Sequence, residues 1–323
     1  RVQVLFREVE PLESGLAWSL DENFRWRRRE REKEVARMSV TAFSDYLACP
    51  FRFHLKHNLG MQEPEPERVE WNARDFGNVA HLVLERWGRD EEARDFSKTE
   101  AVAEWVHAEL DRVVAERFGE SPPLAVRIQV EALRQRLSWF AQVQACERAS
   151  GWRVVEVEKR FSLEFDGVEV RGQVDRIEEH TDGRRRVLDY KTTAEAGKVD
   201  AAHLKRISAS TRWPAHLEGV KEVLSADGKA RWVNLQVPIY AGALGDVDEI
   251  GYFALGATEG DVRVTLWDDF GEAEKESALT CARHVVGQVK AGEFWPPAER
   301  VQFDDYEALS LGRSLAEAFV TKG

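Results

Sequence analysis

Long apolar runs are missing from this 323-residue chain. No stretch approaches the roughly 18 consecutive apolar residues of a membrane span. The start, Arg1-Val2-Gln3-Val4-Leu5-Phe6, has neither the apolar region nor the cleavage site of a secretory signal. A cytoplasmic protein is therefore expected. Cysteine is scarce, with three residues at Cys49, Cys146 and Cys281, and an unpaired trio fits a reducing compartment. There is no Walker-type glycine-rich loop, so any nucleotide-driven motor would lie elsewhere. Internal repeats and low-complexity tracts are also absent. Positive charge is in deficit: 46 Lys and Arg against 58 Asp and Glu leave a net −12, which argues against a generic polyanion binder.

What is present suffices for a sizeable core, since 43% of the residues are hydrophobic, and the length allows one large domain or two. The first residue is Arg1 rather than Met, so residues 1–37 are expected as a lead-in from a longer polypeptide. Within it the mixed-charge run Arg25 to Arg37 suits a solvated helix. Ser39 or Thr41 can cap a helix whose Phe43, Tyr46 and Leu47 share one face, and Pro50 marks its end or the next start. Pro64 and Pro66 among Glu63, Glu65 and Glu67 predict an exposed linker. Phe76, Val79, Ala80, Val83 and Trp87 recur at helical spacing, with His81 just off the stripe. Val102–Phe118 and Leu124–Val143 read as amphipathic helices.

From Trp152 the pattern turns to strands, beginning with Val154 to Glu158. Residues 194–233 are polar and mixed, and read as an insertion before a helix that starts near Asn234. Ile250–Leu255 and Val262–Trp267 predict strands, and Glu272–Lys290 a helix. Helices before strands, then a helix and more strands, fit an α/β sheet flanked by helices. The main domain is expected over 38–312, with a tail at 313–323. Two arginine clusters, Arg25, Arg27, Arg28 and Arg29 and then Arg184, Arg185 and Arg186, are candidate phosphate contacts, against the plainer reading of a solvated face. Most of the eleven tryptophans should fill the core or the surface.

The most informative stretch is Gly172-Gln173-Val174-Asp175-Arg176-Ile177, followed by Val187-Leu188-Asp189-Tyr190-Lys191-Thr192-Thr193. Val168 to Ile177 is rich in β-formers. Glu179 to Arg185 is polar and contains the turn signal Thr181-Asp182-Gly183, and Arg186 to Tyr190 reads as the returning strand. In an antiparallel hairpin the strand ends lie side by side, so Asp175 and Asp189 can converge although 14 positions separate them (189 − 175). Converging carboxylates repel unless a cation sits between them, and a hard cation such as Mg²⁺ suits oxygen ligands. Lys191, two residues after Asp189, leaves the same strand face. Such a set suits phosphodiester chemistry. The metal polarises the ester and lowers the pKa of a bound water, while the ammonium orients that water or steadies developing charge. A lone strand aspartate is more often a turn residue or a surface ion pair, but the ordered Asp–Asp–Lys set outweighs that reading.

These residues resemble the core of the PD-(D/E)XK nuclease superfamily, and the pattern G-x-x-D-R-I … D-Y-K-T resembles its RecB-like branch. Three further pieces carry the resemblance in the same order. Val40 to Phe53 contains Cys49-Pro50, Gly77 to Glu85 brings in His81, and Gln236-Val237-Pro238-Ile239-Tyr240 has the form Gln-x-x-x-Tyr. Together they span residues 40–240, with weaker similarity to about residue 310.

The resemblance implies a restriction-endonuclease-like fold: a central mixed β-sheet flanked by helices, with an N-terminal helical region. It implies Asp175, Asp189 and His81 as ligands of Mg²⁺ or Mn²⁺, helped by the Tyr190 carbonyl, and Lys191 as the group acting on the attacking water. Gln236 and Tyr240, sharing a helix face, would contact phosphate or hold Lys191; an ordinary packing pair is the alternative. Glu158 matches a family acid with a supporting role, and Glu85 either bonds His81 or is solvated. Many RecB-like nucleases carry an iron–sulfur cluster on four cysteines. Here Cys49 remains, but Val301, Asp304 and Ser310 stand where the other three belong, and Cys146 and Cys281 lie in predicted helices. No cluster is expected; Cys49 should be buried, with the C-terminal segment packed directly on the first helix. The implied function is a metal-dependent DNA nuclease, expected to be an exonuclease. It would act on single- or double-stranded DNA in double-strand break repair, beside a helicase partner or an upstream helicase-like region. The rivals are a catalytically silent DNA-binding or scaffold module of such a complex, and a CRISPR-adaptation nuclease.

Overall fold

The computed structural model describes residues 35–61, 70–119, 121–208, 210–211, 213–225 and 228–295, with short pieces at 19–21, 297–298, 306 and 320–322. Among the described residues, the first half is helical apart from two short strands. It runs β1 (Ser19–Asp21), β2 (Arg37–Ser39), α1 (Ala42–Ala48), α2 (Pro50–Phe53), α3 (Ala73–Arg89), α4 (Thr99–Phe118) and α5 (Leu124–Ser150). The hairpin region follows as β3 (Trp152–Phe165), β4 (Val168–His180) and β5 (Arg185–Lys191). Next come α6 (Val199–His203), β6 (Leu204–Arg206), β7 (Val223–Ser225) and β8 (Gly228–Trp232). The chain continues through α7 (Gln236–Leu244), β9 (Glu249–Leu255), β10 (Val262–Leu266), α8 (Glu272–Ala291) and β11 (Val320–Lys322).

The central sheet is mixed and six-stranded, in the order β10-β9-β5-β4-β2, with β3 also on β4. Strands β5 and β9 are parallel, as are β2 and β4, whereas β3–β4, β4–β5 and β9–β10 are antiparallel. Helices cover both faces. On one face α3, α4 and α5 bury Val83, Trp87, Leu110, Leu137 and Phe140 against Leu188, Phe253 and Leu255. On the other, α1, α7 and α8 bury Phe43, Tyr46, Ile239 and Val285 against Val170, Ile177, Val187 and Ile250. The apolar stripe on α3 thus decides which way that helix turns. Its start is fixed by a capping box, in which Asp75 N–H donates to Asn72 Oδ1 (2.8 Å) and Asn72 N–H donates to Asp75 Oδ2 (3.1 Å). Among the described residues, no helix is long and apolar enough to cross a membrane.

Several local expectations change. Arg37 belongs to strand β2, paired with Glu169, not to a solvated helix; Arg25 to Arg29 and the Pro64–Pro66 linker lie outside the described residues. The cap of α1 is Ser39, whose Oγ accepts from Ala42 N–H at 3.2 Å, while Thr41 makes no side-chain cap bond. After α6, the strands β6, β7 and β8 form a small three-stranded sheet in the order β6-β8-β7, whose Leu204, Ala230 and Trp232 join the same core as α7 and α8. Arg184, Arg185 and Arg186 are engaged in ion pairs with Asp182 and Glu249, with Glu156, and with Glu178 and Glu147. Their turn lies about seven residues from Asp175 along β4, roughly 23 Å at strand rise. Cys49 is fully buried beside Phe51, Leu55 and Tyr306, and its Sγ accepts from Ala298 N–H at 3.3 Å. The C-terminal segment therefore packs on the first helices there.

Candidate metal centre and active site

The site occupies a break in the sheet. Strand β5 stays in register with β4 as far as the pair Arg176–Leu188; Asp175 and Asp189 are the next residue on each strand. Instead of a ladder bond, Tyr190 N–H donates to the Asp175 carboxylate at 2.9 Å. The same edge of β4 is taken up again by β2 at Arg171. Between these two pairings the edge is open, and side chains from α3, β3 and α7 reach it.

Helix α3 contributes His81. Its approach depends on Gly77, one turn earlier, where a Cβ would come within 3.2 Å of Thr192 Oγ1. His81 Nε2 lies 3.1 Å from the Tyr190 carbonyl oxygen, which can only accept, so Nε2 carries the proton. Burial lowers the His81 pKa, with the Asp189 charge opposing that shift, so the ring is neutral near pH 7 and Nδ1 keeps its lone pair. That lone pair is 3.5 Å from Asp175 Oδ2. A shared proton or a cation would reconcile two electron-rich atoms held this way.

Glu158, given only a supporting part by its sequence position, completes the group. One ligand atom each from His81, Glu158 and Asp175 lies within 4.8 Å of the others. Glu158 sits in β3 with φ +52°, a left-handed backbone that a non-glycine residue adopts at a cost. Gln173 Nε2 donates to its carboxylate. Burial, then the nearby Glu85 charge, pushes the Glu158 pKa up to about 7. Burial, then the Asp189 charge, raises that of Asp175 well above the ordinary carboxylate range. These are marks of a carboxylate pocket whose repulsion a divalent cation would relieve. Glu85 itself pairs with Arg89 at 2.7 Å rather than with His81.

Asp189 faces the other members of the set. Lys191 Nζ is 2.7 Å from Asp189 Oδ2, although off hydrogen-bond alignment, so Oδ2 is a buried oxygen with no hydrogen-bond donor. Gln236, the first residue of α7, donates from Nε2 to Asp189 Oδ1 (2.8 Å) and to Tyr240 OH (2.7 Å). Lys191 Nζ also sits 5.1 Å from the centre of the Tyr252 ring. The Tyr252 hydroxyl donates to His203 Nε2 (2.7 Å), and His203 Nδ1–H donates to the Asn234 carbonyl (3.0 Å). Sequence reasoning misses that support, because His203 lies in the polar, mixed segment that carries no readable pattern. Beneath the site, Arg176 bonds Tyr190 OH (3.2 Å), Gln144 (2.5 Å) and Glu178 (2.5 Å), and Glu178 also accepts from Arg186 (2.6 Å). The structure thus brings His81, Asp175, Tyr190, Asp189, Lys191, Gln236 and Tyr240 together and adds Glu158.

Residues 37–250 match the family model of the PD-(D/E)XK nuclease superfamily. The chain belongs to that superfamily. Curated relatives carry the names of ATP-dependent helicase/deoxyribonuclease subunits. One from Streptococcus equi subsp. zooepidemicus (strain MGCS10565) is 25% identical over 165 residues, 51% of this chain and 15% of the relative. Another, from Ruminiclostridium cellulolyticum, is 27% identical over 134 residues, 41% of this chain and 11% of the relative. A third, from Acetivibrio thermocellus, is 26% identical over 192 residues, 51% of this chain and 16% of the relative. The match thus spans less than a fifth of each relative's length. A solved structure described as the crystal structure of SSO0001 aligns over 79% of this chain and 77% of its own, at 12% identity and a TM-score of 0.26, too slight a likeness to bear on the site.

Proposed function

We propose that this chain is a divalent-metal-dependent DNA nuclease, acting exonucleolytically beside a helicase in the processing of broken DNA. The observation that carries the reading is the convergence of His81, Glu158 and Asp175 within 4.8 Å, next to the Asp189–Lys191 pair at 2.7 Å. His81 Nδ1, the carboxylates of Asp175 and Glu158, and the buried Asp189 Oδ2 are the atoms that would hold the ion, and their oxygen-rich donor set with one imidazole suits Mg²⁺ or Mn²⁺. Bound there, a divalent cation would polarise the phosphodiester and make a water nucleophilic near neutral pH. Lys191, held by Asp189 and the Tyr252 ring, places a positive charge where negative charge develops on the phosphorus oxygens. Gln236 fixes the Asp189 carboxylate and so sets the direction of that ammonium. The DNA substrate and the helicase partner are supported by the names of the relatives.

Incubation with linear single- and double-stranded DNA in Mg²⁺, Mn²⁺ or EDTA, beside Lys191→Ala and Asp189→Asn chains, tests the reading. Metal-dependent degradation by the wild type alone is expected. Equal degradation by all three proteins would assign the activity to a contaminant and sink the proposal.

A further inference from the structure

Resting on the nuclease reading, we infer that Arg74 and Arg117 form a phosphate-backbone subsite that grips the DNA strand on the α3–α4 side of the candidate metal centre. A cleft of about 840 Å³ runs from Asp175, His81 and Glu158 along the start of α3 to the end of α4, and both arginines line it. A second cleft, of about 730 Å³, meets the first at Asp175 and passes over β2, β3 and β4. A strand crossing the centre therefore has a path on each side.

Charge pairing singles out the two residues. In a chain of net charge −12, most other cations of the helices around the first cleft have partners; Arg136, which also lines it, donates to the Thr192 and Leu255 carbonyls at 3.1 and 2.8 Å. Arg86 pairs with Glu109 and Glu116, Arg89 with Glu85, Arg112 with Glu109, Arg134 with Asp111 and Glu131, and Arg148 with Asp95. Arg74 and Arg117 have no acid within ion-pairing distance among the described residues, although acids adjoin both in sequence. Asp75 is committed to the capping box with Asn72, and Glu116 to Arg86. In the second cleft, Arg171 is engaged by Glu169 at 2.8 Å, which leaves Arg160 as the one lining arginine without an ion pair among the described residues. The first cleft thus holds the stronger uncommitted charge.

The wall that carries the two arginines is built. Gln129 bonds the Trp71 backbone twice, accepting from its N–H (2.8 Å) and donating to its carbonyl (2.7 Å). The Trp71 ring then packs against Phe76 of α3 and Phe118 of α4, with centroids 6.3 and 6.0 Å apart. This packing joins the first turn of α3, which carries Arg74, to the last turn of α4, which carries Arg117. The frame fixes the backbone positions from which both guanidinium groups reach into the cleft, and their planar donors match a phosphate.

Binding of a fluorescent single-stranded DNA oligonucleotide, measured in EDTA over a range of KCl, tests the inference. The proteins are the wild-type chain, the Arg74→Gln/Arg117→Gln double variant, and Lys98→Gln, which removes a cation just before α4 at the end far from Arg117. Two lost phosphate contacts should lower the slope of log Kd on log salt by about 1.4 for a single strand, and weaken binding about tenfold or more. An unchanged slope in the double variant, or an equal loss in Lys98→Gln, overturns the subsite. If the wild type still cuts DNA in Mn²⁺ and Asp189→Asn does not, the nuclease reading survives that failure. A wild-type chain that neither binds nor cuts overturns both.

Discussion

Glu158 carries a charge that the fold resists, and the cost can be followed by pH. Its carboxyl moves from an ordinary 4.5 to about 7 on folding, which corresponds to about 3.4 kcal/mol at about 1.36 kcal/mol per tenfold change. The side chain is only half-buried, so solvent screening reduces that to about 1.5–2 kcal/mol. A raised pKa means that the folded chain holds the proton more tightly than the unfolded chain does. The stabilisation is therefore complete below pH 4.5 and is lost as pH rises through about 7. Urea unfolding of wild type and Glu158→Gln in EDTA, from about pH 5 to about pH 8, reads this effect together with the smaller lift that Glu158 gives Asp175, because the remaining titrating groups are common to both. The wild type should lose about 1.5–2 kcal/mol relative to the variant across that range. At a hundredfold excess over its Kd, Mn²⁺ should return about 2.7 kcal/mol to the wild type at the upper end, and less to the variant. A difference that stays flat, or that grows in favour of the wild type with rising pH, refutes the reasoning.

Lys191→Ala should lower DNA cleavage about 100- to 1000-fold while calorimetry still detects Mn²⁺ binding; a wild-type rate contradicts its assigned part. Glu178→Gln removes the carboxylate shared by Arg176 and Arg186, all three side chains being at most 3% exposed. Arg186 keeps Glu147, so the loss in denaturant unfolding should be near the low end for a broken buried pair, about 3 kcal/mol. Tyr252→Phe keeps the ring beside Lys191 but leaves the buried His203 Nε2 without its donor. It should cost about 1–3 kcal/mol, with cleavage lowered far less than by Lys191→Ala.

Much of the site is legible in the sequence because its parts follow local rules. A polar turn between two β-rich runs sets the hairpin register, and the register alone brings Asp175 opposite Asp189. Helical spacing likewise orients His81, and puts Gln236 and Tyr240 one turn apart. What escapes is non-local or too short. Strand β2 is three residues long, and its partner lies some 130 residues away. The strands of residues 204–232 are only three to five residues long, and two of the three carry two charges each, so no period-2 pattern can develop. The left-handed backbone of Glu158 leaves no mark in composition. Arg184, Arg185 and Arg186 look like a phosphate clamp in sequence, and only the fold reveals the acids already paired with them.

The unfavourable features of the site are concentrated, and their support comes from elsewhere. A positive φ at Glu158, a raised Asp175, and an Asp189 oxygen without a hydrogen-bond donor each work against the metal-free fold. Each sits among ordered pairings. The β3–β4 ladder is continuous on both sides of Glu158, from Glu156 to Val157 and again from Lys159, so the backbone cannot slip without losing both halves. Tyr190, whose amide and carbonyl engage Asp175 and His81, is locked below through its hydroxyl by the buried Arg176. Moving Asp175 away would give up its bond from the Tyr190 amide, a residue anchored through its hydroxyl to the buried Arg176. On the proposed metal-dependent reading, an ion that finds the groups already gathered would spend little of its binding energy on building the site.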